Sequence, residues 1–176
     1  MGTLKGACII GQSGGPTAAI NATLAGVIRG VISARAKHPD CGIARLFGMK
    51  NGVDGLLRDD LVDLDALFDP ACGGCADDLD VLALTPSSAL GSCRKKLPAP
   101  GAADEDAVMG RLLDILKAHD VRYFFYIGGN DSMDTVAKLS AYADKKGYEM
   151  RVMGVPKTID NDLMGTDHTP GFGSAA

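Results

Sequence analysis

Near the amino terminus the spacing of apolar residues changes abruptly across a run of glycines. Lys5–Ile10 is a short, largely apolar stretch. It is followed by Gly11-Gln12-Ser13-Gly14-Gly15-Pro16, after which Ile20, Leu24, Val27, Ile28, Val31 and Ile32 recur at helical intervals. The pattern predicts a strand, a glycine loop and a long helix. Pro16 suits the first helical turn, where a missing N–H costs no hydrogen bond. A second extended run, Ala44–Met49, closes at Asn51-Gly52. Leu56, Leu57, Leu61, Leu64 and Leu67 then lie among acids without a clear period, so no boundaries are assigned there.

Beyond the small, proline-bearing and acidic stretch Ala99–Asp106, helical spacing returns at Val108, Leu112, Ile115, Leu116 and His119. Asp104, Glu105 and Asp106 precede this helix, where negative charge favours its positive end. Val121–Ile127 reads VRYFFYI, aromatic, β-branched and nearly apolar throughout, as expected of a parallel strand covered on both faces. It runs into Gly128-Gly129-Asn130-Asp131-Ser132. A helix to about Lys146, a strand over Met150–Val155 and a loop over Pro156–Asp162 follow.

This alternation predicts an α/β fold: a three-layer, Rossmann-like, mostly parallel sheet with helices on both faces. In such sheets ligands bind outside the carboxyl ends of the strands. Three polar, glycine-bearing loops stand at three such ends.

Composition narrows the partners. The 18 basic and 22 acidic residues are interspersed and leave a net charge of -4, which offers no basic stripe to nucleic acid. The apolar run at the start is too short for a signal core, and no stretch reaches the ~20 apolar residues of a membrane span. A cytoplasmic protein is expected. The five cysteines, Cys8, Cys41, Cys72, Cys75 and Cys93, are an odd count without the density of a disulfide framework, so reduced thiols are expected. Cys72 and Cys75 form a C-x-x-C pair, but no second pair supplies the four ligands of a structural zinc.

Each loop has a plain reading and a chemical one. Gly11–Gly15 is either a tight turn or a phosphate cradle before a helix amino terminus; it is neither a P-loop nor G-x-G-x-x-G. In GGNDS, Asp131 or Ser132 could cap the next helix. The paired glycines imply close approach to the backbone. Pro156-Lys157-Thr158-Ile159-Asp160-Asn161-Asp162 packs a cation, a hydroxyl and two carboxylates together, dense for a turn. Asp160 and Asp162, as alternate residues of an extended loop, would face the same way and could share a metal or divide base and ligand roles.

GQSGGPTAAIN, YIGGNDSMDT and VPKTIDNDLMGTDHTPGFGSAA, in this order at strand ends, resemble the phosphofructokinase family. Thr85–Leu97, reading TPSSALGSCRKKL, resembles the family's donor-binding stretch, with Arg94 at its phosphate-contacting arginine. The resemblance implies phosphoryl transfer to the 1-hydroxyl of fructose 6-phosphate in glycolysis, with Mg2+. It makes Asp160 the base, puts Thr158 on the sugar or phosphate, and has Asp162 support base or metal. Gly14, Gly15, Arg94, Gly129, Asp131, Ser132 and Lys157 would bind the donor, and Asn130 and Asp131 the metal. Asn130 departs from the aspartate of many relatives, but its carbonyl can still ligate magnesium or a bound water.

Two positions bear on the donor. The family's ATP-using members have glycine where this chain has Asp131, and Lys157 suits a bound diphosphate; together they imply pyrophosphate. Like charges about 4 Å apart repel by about 4 kcal/mol at an effective dielectric of about 20, enough to disfavour a third phosphate. An ATP-using relative and a non-catalytic phosphate-binding relative are the alternatives. The resemblance further implies that residues 1–176 form a donor-binding domain, cut before a substrate domain, and that the complete protein is a homo-oligomer.

Overall fold

The structure is a computed structural model and describes residues 3–175. Five strands form one sheet in the order β3-β2-β1-β4-β5. They are β1 (Gly6–Gln12), β2 (Ile43–Met49), β3 (Leu61–Asp63), β4 (Val121–Gly128) and β5 (Arg151–Pro156). Pairing is parallel throughout except between β2 and β3. The expected α/β fold is therefore present, with one short antiparallel edge strand in the stretch left unassigned from sequence.

Helices α1 (Ala18–Lys37), α2 (Gly52–Leu57), α3 (Leu64–Phe68), α4 (Asp78–Leu84), α5 (Glu105–Ala118) and α6 (Asn130–Lys145) cover the two faces. Their sides follow from handedness. The crossover from β1 to β2 runs one way along the sheet, whereas those into β4 and β5 run the other way; right-handed connections then force the helices to opposite faces. Ala7 and Ile9 of β1 accordingly join the cluster of α5 and α6 residues, Met109, Leu112, Leu116 and Leu139. Cys8 and Ile10 join Ile20, Leu24 and Ile28 of α1 and Leu79 of α4. Burial on both faces makes β1 the axis of the core, and the strand order reverses between β1 and β4.

Several boundaries differ from the periodicity. β1 continues through Gln12 because Gly11 and Gln12 still pair with Tyr126 and Ile127 of β4. Pro16 lies outside α1, which starts at Ala18 behind Thr17. His119 is the C-cap of α5 and bonds Asp59 at 2.7 Å instead of extending the apolar stripe. β4 is not fully covered: Tyr123 and Phe125 are half-buried beside an apolar groove shared with Val27 and Val31 of α1 and Met153 of β5. The cause is that α1, α3 and α4 pack toward the β1–β2 side of that face.

The cysteines are all free thiols, with Cys8 and Cys93 buried and Cys72 and Cys75 exposed. Burial pushes the Cys8 thiol up to about 12, which leaves it unreactive. Among the described residues no helix is long and apolar enough to cross a membrane.

One buried ion cluster holds α1 to the β3–α3 corner. Arg35 bonds Asp65 at 2.6 Å and Asp69 at 3.2 Å, and Asp65 also accepts from the Leu46 N–H at 2.8 Å. Removing the cation would strand two carboxylates whose side chains are only 4% and 9% exposed. Arg35→Met is expected to lower the unfolding free energy by about 3–5 kcal/mol in urea denaturation, and a loss below about 1 kcal/mol would contradict this reading of the cluster.

Candidate functional site

The carboxyl ends of β1, β4 and β5 open into a cleft of about 510 Å³ at the point where strand order reverses. Its lining includes Gly14, Gly15, Arg94, Gly129, Asn130, Asp131, Ser132, Lys157, Thr158 and Asp160. Four segments far apart in sequence are thus brought together. Asp162 does not line the cleft but reaches it through Asn130, whose Nδ2 donates to Asp162 Oδ2 at 2.6 Å.

Chain geometry explains why the two aspartates of the third loop part company. Asn161 between them is left-handed, with φ of 52°, so the loop is not extended there and alternate residues do not share a side. Asp160 folds back on Thr158: the Asp160 N–H donates to Thr158 Oγ1 at 3.1 Å, and that hydroxyl lies 3.3 Å from Asp160 Oδ2. The loop is closed behind them by Thr158 N–H to Pro170 O at 2.9 Å and Thr169 N–H to Asn161 Oδ1 at 2.9 Å. Of the motif that ends the chain, Ala176 lies outside the described residues.

Lys157 is the most unusual group in the cleft. It is 1% exposed, and its Nζ donates to the Gly15 carbonyl, tying the third loop to the first. Gly171, with φ of 102°, lets the chain pass over the lysine; a Cβ there would lie 2.9 Å from Lys157 Cδ. Burial holds the ammonium below the ordinary lysine range, partly offset by the negative charge of Asp160.

GGNDS differs from its sequence reading. The N-cap of α6 is Gly129, and neither Asp131 nor Ser132 caps it; both lie in the first turn. Gly128 is required by packing: a Cβ would meet Ser132 Oγ at 2.1 Å and the Ser13 carbonyl at 2.9 Å. Asp131 bonds Lys96 at 3.2 Å at the mouth of the cleft. Its charge is therefore partly neutralised, and the full repulsion expected from an isolated carboxylate does not apply; the bulk at this position remains.

Sequence reasoning missed the cations around Arg94. Lys95 lines the cleft and pairs with Asp54 at 3.3 Å, while Lys96 pairs with Asp131. A Lys-Lys pair beside an arginine was the available signal. It also missed Ser13, whose Oγ donates to the Cys93 carbonyl at 2.9 Å, and Ser92, whose Oγ donates to the Gly14 carbonyl at 2.7 Å. Among the described residues no three His, Cys, Asp or Glu side chains gather as a metal site. The donors present suit an ion such as magnesium, which takes one or two protein oxygens and completes its shell with water and substrate phosphate.

An open doubly wound sheet, with loops, a helix amino terminus and cations gathered at its switch point, defines an α/β protein with a polar cleft at the carboxyl ends of its strands. A phosphofructokinase profile matches residues 7–176, and the chain belongs to that family. It is 47% identical over 172 residues to the pyrophosphate–fructose 6-phosphate 1-phosphotransferase of Xanthomonas campestris pv. campestris, covering 98% of this chain and 37% of the relative. The pyrophosphate-dependent phosphofructokinase structure from Nitrosospira multiformis superposes with a TM-score of 0.77 at 42% identity, covering 94% of this chain and 37% of that one. The ATP-dependent 6-phosphofructokinase of Amycolatopsis methanolica is 34% identical over 151 residues, covering 85% of this chain and 28% of the relative. The chain spans 37% of the length of the Xanthomonas relative and 28% of the Amycolatopsis one.

The depressed lysine makes stability depend on pH. Between its folded value and the ordinary 10.5, the unfolded chain binds more protons than the folded one, so the Lys157 contribution to stability rises with pH in that window. Below it the desolvation penalty is fully present. The unfolding free energy of the wild type relative to Lys157→Met is expected to increase as pH goes from about 7 to about 10. A flat or falling difference would show that the ammonium is not destabilised by burial.

Proposed function

We propose that residues 1–176 are the phosphoryl-donor domain of a pyrophosphate-dependent phosphofructokinase. The reaction moves a phosphoryl group from pyrophosphate to the 1-hydroxyl of fructose 6-phosphate, giving fructose 1,6-bisphosphate, as a cytoplasmic step of glycolysis. The observation that carries this reading is the cleft itself, whose lining brings Arg94, Lys95 and Lys157 together with Asp160, Gly14, Gly15 and the start of α6.

Phosphoryl transfer needs little covalent help from protein; it needs alignment and charge compensation around the transferring group. The glycine loop, the first turn of α6 and the three cations compensate a diphosphate. Asp160 takes the proton of the attacking hydroxyl, and Thr158, whose Oγ1 lies 3.3 Å from it, steadies the carboxylate and meets the sugar phosphate. Ser132 lines the cleft from the first turn of α6, packed beside Gly128, where it would meet the donor. Asn130, Asp131 and Asp162 offer oxygen donors to Mg2+, which would neutralise charge on the transferring phosphoryl group.

Asp131 and Lys96 favour the shorter donor. Asp131 lines the cleft and is paired with Lys96 at 3.2 Å, and the bulk of that pair is what would work against a longer donor. Strong similarity to relatives named for pyrophosphate supports the same choice, against 34% identity to one named for ATP.

The base assignment is tested in a polypeptide carrying this sequence at the full length of its relatives. Asp160→Asn is expected to lower kcat about 10²- to 10⁴-fold while leaving pyrophosphate affinity within about threefold, as steady-state kinetics and direct titration would report. Turnover within about threefold of the wild type would remove Asp160 from the role of base.

A further inference from the structure

Beneath the glycine loop lies a buried amide pair that no step of the proposed reaction uses. Gln12, at the end of β1, is 0% exposed, and Asn21, in the first turn of α1, is 1% exposed. Gln12 Nε2 donates to the Ile20 carbonyl at 3.1 Å and to Asn21 Oδ1 at 3.0 Å. Gln12 Oε1 accepts from the Leu90 N–H at 2.8 Å and from Ser88 Oγ at 3.0 Å. Asn21 Nδ2 donates to the Thr85 carbonyl at 2.9 Å, and Asn21 Oδ1 also accepts from the Ala89 N–H at 2.9 Å.

The polarity of this network is fixed. The Ile20 and Thr85 carbonyls can only accept and the Leu90 and Ala89 N–H groups can only donate, so each amide has one permitted orientation. Both N–H groups of Gln12 are used, and its Oε1 accepts from the Leu90 N–H while sharing the single Ser88 hydroxyl proton with the Gly91 carbonyl, 2.6 Å from Ser88 Oγ. A polar core network satisfied in this way is rigid, and a half-satisfied one is costly.

What the network holds matters more than where it sits. Thr85–Leu90 has no regular secondary structure, and its backbone is seated on these two side chains. Four residues on, the same strand of chain presents Arg94 to the cleft, after Ser13 and Ser92 have stitched it to the glycine loop. Arg94 itself is exposed and has no hydrogen bond or ion pair to another side chain among the described residues, so its backbone is what sets its place.

We propose that Gln12 and Asn21 are positioning residues for Arg94: the buried amide pair locks the 85–93 segment against β1 and α1 and so fixes the cation's register over the diphosphate. The inference rests on the reading of the cleft as a pyrophosphate site. It assigns the pair no contact with either substrate.

The test is a double-mutant cycle on the dissociation constant for magnesium pyrophosphate, measured by calorimetry in the whole polypeptide that carries this sequence. The four proteins are the wild type, Gln12→Met, Arg94→Ala and the double variant. Gln12→Met and Arg94→Ala are each expected to weaken binding about tenfold, and Gln12→Met is expected to add less than about twofold once Arg94 is gone. A purely structural role would instead weaken both backgrounds equally, and that result overturns the proposal. If Arg94→Ala binds as the wild type does, the donor reading fails and the inference falls with it. Should Gln12→Met fail to fold, Ser88→Ala removes one bond to Gln12 from the loop side. Its expected loss of about threefold must likewise vanish without Arg94, and persistence of that loss overturns the proposal.

Discussion

An ammonium group with almost no access to water sets the terms for the rest of the cleft. Burying a charge is costly unless it is hydrogen-bonded and paired, and Lys157 meets that demand in part because the segments after β1 and β5 close around it. The Gly15 carbonyl accepts a hydrogen bond from it, Asp160 supplies nearby negative charge, and Gly171 leaves room for its alkyl chain. The first of these groups follows β1 and the other two follow β5. Their meeting depends on β1, β4 and β5 being parallel neighbours, so that all three carboxyl ends emerge on one edge. The core therefore does more than stabilise the fold; it fixes where a desolvated cation can be kept. A polyanion entering the cleft would find that charge already stripped of water, which strengthens attraction at the moment of binding.

Placement of the second cationic group follows a different logic. Arg94 sits on chain without regular structure, which on its own would be too mobile to align a phosphate. Rigidity is borrowed from the core through Gln12 and Asn21, and from the glycine loop through Ser13 and Ser92. Lys95 and Lys96 are then braced on opposite sides, against Asp54 of α2 and Asp131 of α6. Preorganisation of this kind contributes to phosphoryl transfer by lowering the cost of ordering the site when the donor arrives.

Much of this was legible in the sequence, because period and loop chemistry are local. The strand at VRYFFYI, the helices on either side and the glycine loops at strand ends all follow from spacing and from glycine punctuation. What escaped depends on distant groups. β3 is three residues long and is a strand only through pairing with β2. The left-handed Asn161, which turns Asp160 and Asp162 apart, answers to bonds with Thr169 and Asp167. Gln12 and Asn21 read as an ordinary loop residue and a helix residue until Thr85–Leu90 is folded over them. Asp131 read as a free charge because its partner, Lys96, lies 35 positions earlier in the chain.

The central claim is that this cleft is shaped for a diphosphate donor. Calorimetric titration of the chain with magnesium pyrophosphate and, separately, with magnesium ATP tests it most directly, since the loops that line the cleft are all within residues 3–175. Saturable binding of pyrophosphate with no detectable binding of ATP is the predicted result. Tight binding of ATP, or equal indifference to both, would contradict it.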